Sequence, residues 1–336
     1  MIRRTIAISG LMAAVLLHAA GAASAQTTLK LVTQTVASAK DARKELPQVI
    51  AKSVAAADVG LAIKVFYNRE LLAAGEMYRA VREGTVDMAI VFLPTSARDV
   101  PEVGFHGMPG VAMSRAEARR LASSPAAKQF AEVLEAKGVL LIASYWDALA
   151  IGSTGECFLR PEKLDGVIAR GPGRPFEAVV EAAGAIPVPF ASPEIPRALK
   201  TGAVDLVITT PTSMMVAGGH KNLKCMTDPA SGAPGMVGVA TLVNKATFGK
   251  LDAQQQAALK AAAAKGAEFM EREVAKHADA AVEQIRADGV KIVKLDEADL
   301  DAWRKAAEAT ALRSFAATSP QAAAILKSAM QALGRE

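Results

Sequence analysis

A thirteen-residue half-pattern occurs twice in this chain, 118 residues apart, and it constrains the fold more than any other feature. The run from Tyr78 to Ile90 aligns with the run from Pro196 to Ile208. Six positions are identical: Arg79/Arg197, Ala80/Ala198, Gly84/Gly202, Val86/Val204, Asp87/Asp205 and Ile90/Ile208. Each copy reads as the last turns of a helix, a glycine where the chain must turn left-handed, then a short apolar run suited to a buried parallel strand. The spacing is too long for a solenoid. Two α/β lobes of similar construction follow, unless helix–glycine–strand junctions recur here by chance. A pair of lobes implies a cleft, and clefts between domains are where small molecules bind.

Residues 1–25 read as a signal peptide. Arg3 and Arg4 supply a positive start, Ile6 to Ala20 a short apolar stretch, and Ala23, Ser24 and Ala25 a small-residue cleavage site before Gln26. The apolar stretch is too short for a good membrane span, and no later segment approaches ~18 uninterrupted apolar residues. An exported, periplasmic protein is expected. The 39 Lys and Arg against 34 Asp and Glu give +5, and loss of Arg3 and Arg4 lowers this to +3. With no dense basic run and few aromatics, nucleic acid is not an expected partner. Cys157 and Cys225 form an even pair in an oxidising compartment, so a disulfide is expected, against the alternative of two isolated thiols. The mature chain keeps only His106, His220 and His277, none spaced with a cysteine in a zinc pattern. No metal or cofactor is expected.

Apolar periodicity gives strands at 29–32, 61–66 and 86–92, with helices between them from about Asp41 to Ala56 and up to Arg82. This succession points to a parallel sheet covered by helices. A strand at 138–145 leads into Trp146 and Asp147. Beyond it come a short helical turn at 160–166, a strand from Val167 to Arg170, a glycine-rich turn at 171–174, a helix at 176–183 and a strand at 186–189. After the second copy of the repeat, 238–244 reads as one more strand. From Asp252 to about Asp288 the chain is rich in Ala, Glu, Lys and Gln without proline, which predicts one helix of roughly ten turns. Lobe I is assigned to 26–147 with part of the later chain (236–250), lobe II to 148–235, and the long helix and C-terminal helices to 251–336.

The order of these pieces resembles the solute-binding proteins of TRAP (tripartite ATP-independent periplasmic) transporters, of the dicarboxylate-binding type. The resemblance runs from about Leu29 to Leu295. It rests on Ile63–Phe66 followed by Asn68-Arg-Glu-Leu71, on Gly84–Ile90, on Pro101-Glu102 with Met108-Pro109, on Leu164–Arg170, on Gly184–Pro189, and on Pro193-Glu194 leading into Ala198–Asp205. It implies a two-lobed periplasmic-binding-protein-like α/β fold with a long lobe-spanning helix. The implied function is capture of a small organic anion for delivery to membrane permease subunits, by a monomer and without catalysis. The family's carboxylate-binding arginine falls on Arg170, and a guanidinium offers the planar fork that a carboxylate matches.

Departures from the family pattern bear on the ligand. Leu206–Thr212 replaces an amide-bearing phrase, leaving Thr209, Thr210 or Thr212 to supply polar contacts. The stretch after the 138–145 strand lacks an arginine that some members carry, which favours a monocarboxylate or an aromatic acid over a doubly clamped dicarboxylate. Arg174 is a candidate to compensate. Trp146 is read as a pocket wall, with Phe190, Phe92 and Met214 as further apolar candidates. Glu70 and Glu76 are candidates for a polar group or cation. No nucleophile elbow, phosphate loop or GxGxxG turn stands in usable context, so an exported enzyme is the weaker alternative. A binding subunit serving an ATP-driven importer or a sensor would share the same lobes.

Overall fold

The computed structural model describes residues 26–335 apart from 38, 40, 98, 99 and 217, and the expected signal peptide lies outside the described residues. Two mixed sheets carry the chain. The first takes β1 (Thr27–Thr33), β2 (Leu61–Phe66), β3 (Met88–Phe92), β4 (Val139–Ala148) and, from far along the sequence, β10 (Met236–Asn244), in the order β2-β1-β3-β10-β4. The second takes β5 (Ala150–Ser153), β6 (Ile168–Arg170), β7 (Ile186–Pro187), β8 (Leu206–Thr209), β9 (Cys225–Thr227) and β11 (Lys291–Val293), in the order β11-β9-β5-β8-β6-β7.

The internal repeat explains this topology. In the first lobe α1 (Ala42–Ala56) joins β1 to β2, and α2 (Met77–Glu83) precedes β3. In the second, α5 (Arg174–Ala182) joins β6 to β7, and α6 (Ile195–Thr201) precedes β8. Both α2 and α6 end on the repeated glycines, Gly84 at φ 75° and Gly202 at φ 70°, a left-handed turn that costs a side chain dearly. The repeated aspartates act alike too. Asp87 accepts from the Lys30 N–H of β1 at 2.7 Å, and Asp205 from the Ile168 N–H of β6 at 3.1 Å. In both lobes the repeat strand pairs in parallel with its first neighbour and antiparallel with the next, β10 or β5. An all-parallel sheet is therefore not what forms: each lobe receives one returning strand, because the chain crosses between the lobes at 148–150 and again before Met236.

Helices α3 (Arg115–Ala122) and α4 (Pro125–Ala136) cover the first sheet and were not marked by the periodicity. Also unmarked are β5, β9, β11, α7 (Pro211–Val216) and α8 (Lys245–Gly249). The long helix forms as one piece, α9 (Ala253–Ala287), capped by a reciprocal Asp252–Gln255 box. At 35 residues it is roughly 50 Å long. Its first half, with Leu259, Ala262, Met270 and Val274, packs into the first lobe, and its end, with Val282 and Ile285, into the second. Gly266 lets α1 lie close against it: a Cβ there would meet Ile50 Cγ1 at 2.8 Å and Leu46 Cδ1 at 2.9 Å.

The remaining chain is helical. α10 (Glu297–Ala307), a single π-turn (Glu308–Leu312), α11 (Arg313–Ala316) and α12 (Pro320–Ala332) run from the second lobe back to the first. Trp303 donates its indole N–H to Leu159 O at 2.8 Å, and the Phe315 ring stacks on Phe105 at 6.1 Å. No helix among the described residues is long and apolar enough to cross a membrane.

Candidate functional site

The lobes touch in two places. At one, Arg43, in the first turn of α1, donates from Nη1 to Ser213 Oγ of α7 at 2.7 Å. At the other, Gly173 at φ 112° lies so close to the first lobe that a Cβ would stand 3.3 Å from Pro94 O. Glycine is required there twice over, by dihedral and by space. The C-terminal ends of β3 and β8 lead into the segments that make these contacts, and that edge is where α/β sheets take their ligands.

Arg170 ends β6 and is only 9% exposed. Its Nε donates to Phe190 O at 2.9 Å and its Nη1 to Ile208 O at 3.2 Å. Two carbonyls thus fix the guanidinium plane. Among the described residues no carboxylate comes within ion-pair distance. Burial pulls its pKa down to about 10, with the Glu177 charge opposing, so the group stays cationic at neutral pH. A buried charge whose direct bonds are to carbonyls alone is costly unless something supplies a counter-charge in contact.

The threonines frame the same end. Thr209, Thr210 and Thr212 are buried, and Thr210 donates to Ser213 Oγ at 3.0 Å while accepting from the Ser213 N–H at 3.2 Å. Thr210 and Arg43 thereby meet on one hydroxyl. Arg43 is committed elsewhere as well: Nε and Nη2 fork onto Asp41, the N-cap of α1, at 2.8 and 2.7 Å. Burial opposes both charges, yet the fork outweighs it, raising the Arg43 pKa and lowering that of Asp41. Neither apolar pattern nor motif position marks Arg43 in the sequence. An Asp-x-Arg at a predicted helix start is the one signal the sequence offers.

The other expected site residues have different partners. Phe190 contributes its carbonyl, while its half-buried ring packs on the second lobe's core. Arg174 opens α5 on its exposed side and meets Glu181 at 3.1 Å and Glu177 at 3.9 Å, so its charge is already answered. Glu70 is exposed and closes its own turn by accepting from the Tyr67 N–H at 2.9 Å, and Glu76 does the same for Ala73. Phe92 ends β3, with its N–H on Gln34 Oε1 at 2.7 Å. Met214 is core, buried beneath Gly152.

Trp146 is half-buried, and its ring stands 5.1 Å from that of His106, which in turn stacks on Phe130 at 4.5 Å. The indole is thus held chiefly by the first lobe's core. His106 is wholly enclosed, and its Nδ1 sits against Gly238, where a Cβ would clash at 2.8 Å. Nδ1 makes no well-aligned hydrogen bond. Burial drives the His106 pKa down to about 3, weakly opposed by the Gly238 backbone. A base whose folded pKa lies below its unfolded value stabilises the fold fully above about pH 6.5, and that stability is lost as pH falls toward 3. At pH 4.5 the loss attributable to this ring is about 3 kcal/mol. The melting-point difference between wild type and His106→Leu, measured from pH 7 to pH 4, should shrink steadily with acid. A constant difference would show that His106 does not carry this slope.

A second concavity, a groove of about 690 Å³, lies on the outer side of the second lobe between α5 and α10, lined by Arg160, Val179, Asp301, Lys305 and Thr310. Its charges answer one another, Arg160 with Asp299 at 2.5 Å and Lys305 with Asp301 at 2.8 Å, so nothing there awaits a ligand.

Residues 34–318 match the family described as bacterial extracellular solute-binding protein, family 7. A solute-binding protein of Albidiferax ferrireducens is 29% identical over 271 residues, 80% of each chain. A TRAP periplasmic solute-binding protein of Rhodoferax ferrireducens, solved with bound malonate, superposes with a TM-score of 0.86 at 27% identity, covering 91% of this chain and 98% of that one. An extracytoplasmic solute receptor of Bordetella pertussis that binds pyroglutamic acid gives 0.79 at 21% identity, covering 92% and 100%. The family match spans most of the chain, and the two lobes and the lobe-spanning helix agree with it: this protein belongs to the bacterial extracellular solute-binding protein family 7.

Proposed function

We propose that this protein is a periplasmic receptor that closes on a small organic acid, holds its carboxylate on Arg170 and hands the solute unchanged to the membrane subunits of a TRAP transporter. The observation that carries the reading is the buried Arg170 guanidinium, oriented by two backbone carbonyls and lacking an acidic partner in contact. A ligand carboxylate completes that arrangement with charge-assisted bonds in a dry cleft, where such bonds are worth roughly twice those between neutral groups. The buried hydroxyls of Thr209, Thr210 and Thr212 supply polar contacts at the same end of the cleft. Arg174 has no part in this reading, since Glu181 and Glu177 hold it.

The relative solved with malonate supports a carboxylate ligand. The test is thermal shift of the mature protein with malonate, pyroglutamate, glucuronate and a series of small monocarboxylates. A ligand that binds only the folded state raises the melting point by mass action, about 2.7 kcal/mol at a hundredfold excess over Kd. At least one small acid should do so and be recovered chemically intact. Shifts produced only by uncharged solutes would overturn the reading.

A further inference from the structure

Resting on that reading, we propose that Asp147 and Tyr145 form a second recognition pole in the first lobe. This pole receives a hydrogen-bond donor of the ligand, so that the solute is a carboxylate also bearing a hydroxyl or N–H group, not a plain aliphatic or aromatic acid.

The two side chains share a face of β4 by strand alternation, opposite to Trp146. Both are more than nine-tenths buried, Asp147 at 5% and Tyr145 at 8% exposure. Among the described residues Asp147 takes a single hydrogen bond, on Oδ1 from the Ala148 N–H at 2.8 Å. A carboxylate has about four acceptor sites, so most of its capacity is unused. The Tyr145 hydroxyl has no hydrogen-bond partner among the described residues. A carboxylate with spare acceptor sites, two residues along one strand face from a phenol with no hydrogen bond among the described residues, is a place where a ligand donor can be taken up.

The nearest cation is directed elsewhere. Arg43 acts on both groups electrostatically but makes hydrogen-bond or ion-pair contact with neither, its bonds going to Asp41 and Ser213. Burial pushes the Asp147 pKa up to about 6. The charge of Arg43, the Ala148 N–H and the charge of Arg115 hold it down, while Asp41 raises it. At neutral pH Asp147 is therefore mostly an ionised acceptor.

A chain of contacts joins the two poles. Arg170 Nη1 sits on Ile208 O, and Thr210, two residues on, joins Ser213 and hence Arg43, whose charge acts on Asp147 and Tyr145.

Calorimetry on the mature protein with matched pairs tests this: lactate against propionate, mandelate against phenylacetate, and pyroglutamate against cyclopentanecarboxylate. In a pair that binds, wild type should favour the donor-bearing member at least tenfold. Asp147→Asn should bring the preference within threefold, and Tyr145→Phe should reduce it. The melting point of empty Asp147→Asn should rise at pH 8, since a desolvated charge is removed, which a purely structural aspartate would not do. Acids that bind without preference in wild type, or a preference retained in Asp147→Asn and Tyr145→Phe, would overturn the second pole while leaving the Arg170 reading intact. Failure of every acid to bind would sink the carboxylate reading itself, and the second pole with it.

Discussion

Arg170→Ala should all but abolish solute binding while leaving the empty protein folded. Removing one partner of a buried charge pair costs about 3–5 kcal/mol, or roughly two to four powers of ten in Kd. In the empty protein the guanidinium has no such partner, only the carbonyls of Phe190 and Ile208, so its loss forfeits two hydrogen bonds and relieves a desolvated charge. The melting point of the ligand-free variant should therefore stay within a few degrees of wild type. Arg170→Lys keeps the charge but not the fork, and should recover only part of the affinity. Titration calorimetry of both variants with an acid found by thermal shift decides it. Arg170→Ala binding within threefold of wild type would move the carboxylate contact elsewhere in the cleft.

The second large effect concerns stability. Cys157 and Cys225 are bridged, with Cα atoms 5.4 Å apart and a sequence separation of 68. The bond ties the loop after β5 to β9, which pairs with β5 at Ser153 and with β11 at Lys291. In the chain-entropy account, closing a loop of that length stabilises by about 4 kcal/mol. Cys157→Ser with Cys225→Ser, or reduction of wild type, should lower the melting point on the order of 10 °C for a molecule of this size. Binding to Arg170 should survive at temperatures where both forms are folded. A doubly substituted protein melting within 2 °C of wild type would show that β9 is held by its neighbours alone.

Much of the fold was legible in the sequence because its signals are local. Gly84 and Gly202 mark helix ends that only a left-handed residue closes well, and Asp252 with Gln255 marks the start of α9. The direction of β10 was not legible, because an apolar run such as Met236–Asn244 reads alike in parallel and antiparallel neighbours. The site divides the same way. Arg170 is proposed from its place in a motif at a strand end, and its burial on two carbonyls supports that reading. Arg43 carries no such motif, since its contact with Ser213 brings α1 to α7 across 170 residues of chain. Trp146 was read as a pocket wall from its scarcity and position, but alternation along β4 turns it toward His106 while Tyr145 and Asp147 take the other side.

The insertion of β10 between β3 and β4 also governs the order in which this molecule can assemble. The first sheet stays split into a three-stranded piece and a lone strand until residue 244 is available, by which point every strand of the second sheet except β11 has already been made. Contacts of such long range close slowly, because loop entropy must be overcome before they form. A chain emerging from its N-terminus therefore has no finished lobe to offer early, and the first half expressed alone, residues 26–150, lacks the strand that joins its own sheet. The two lobes are two bodies in space but a single unit of folding.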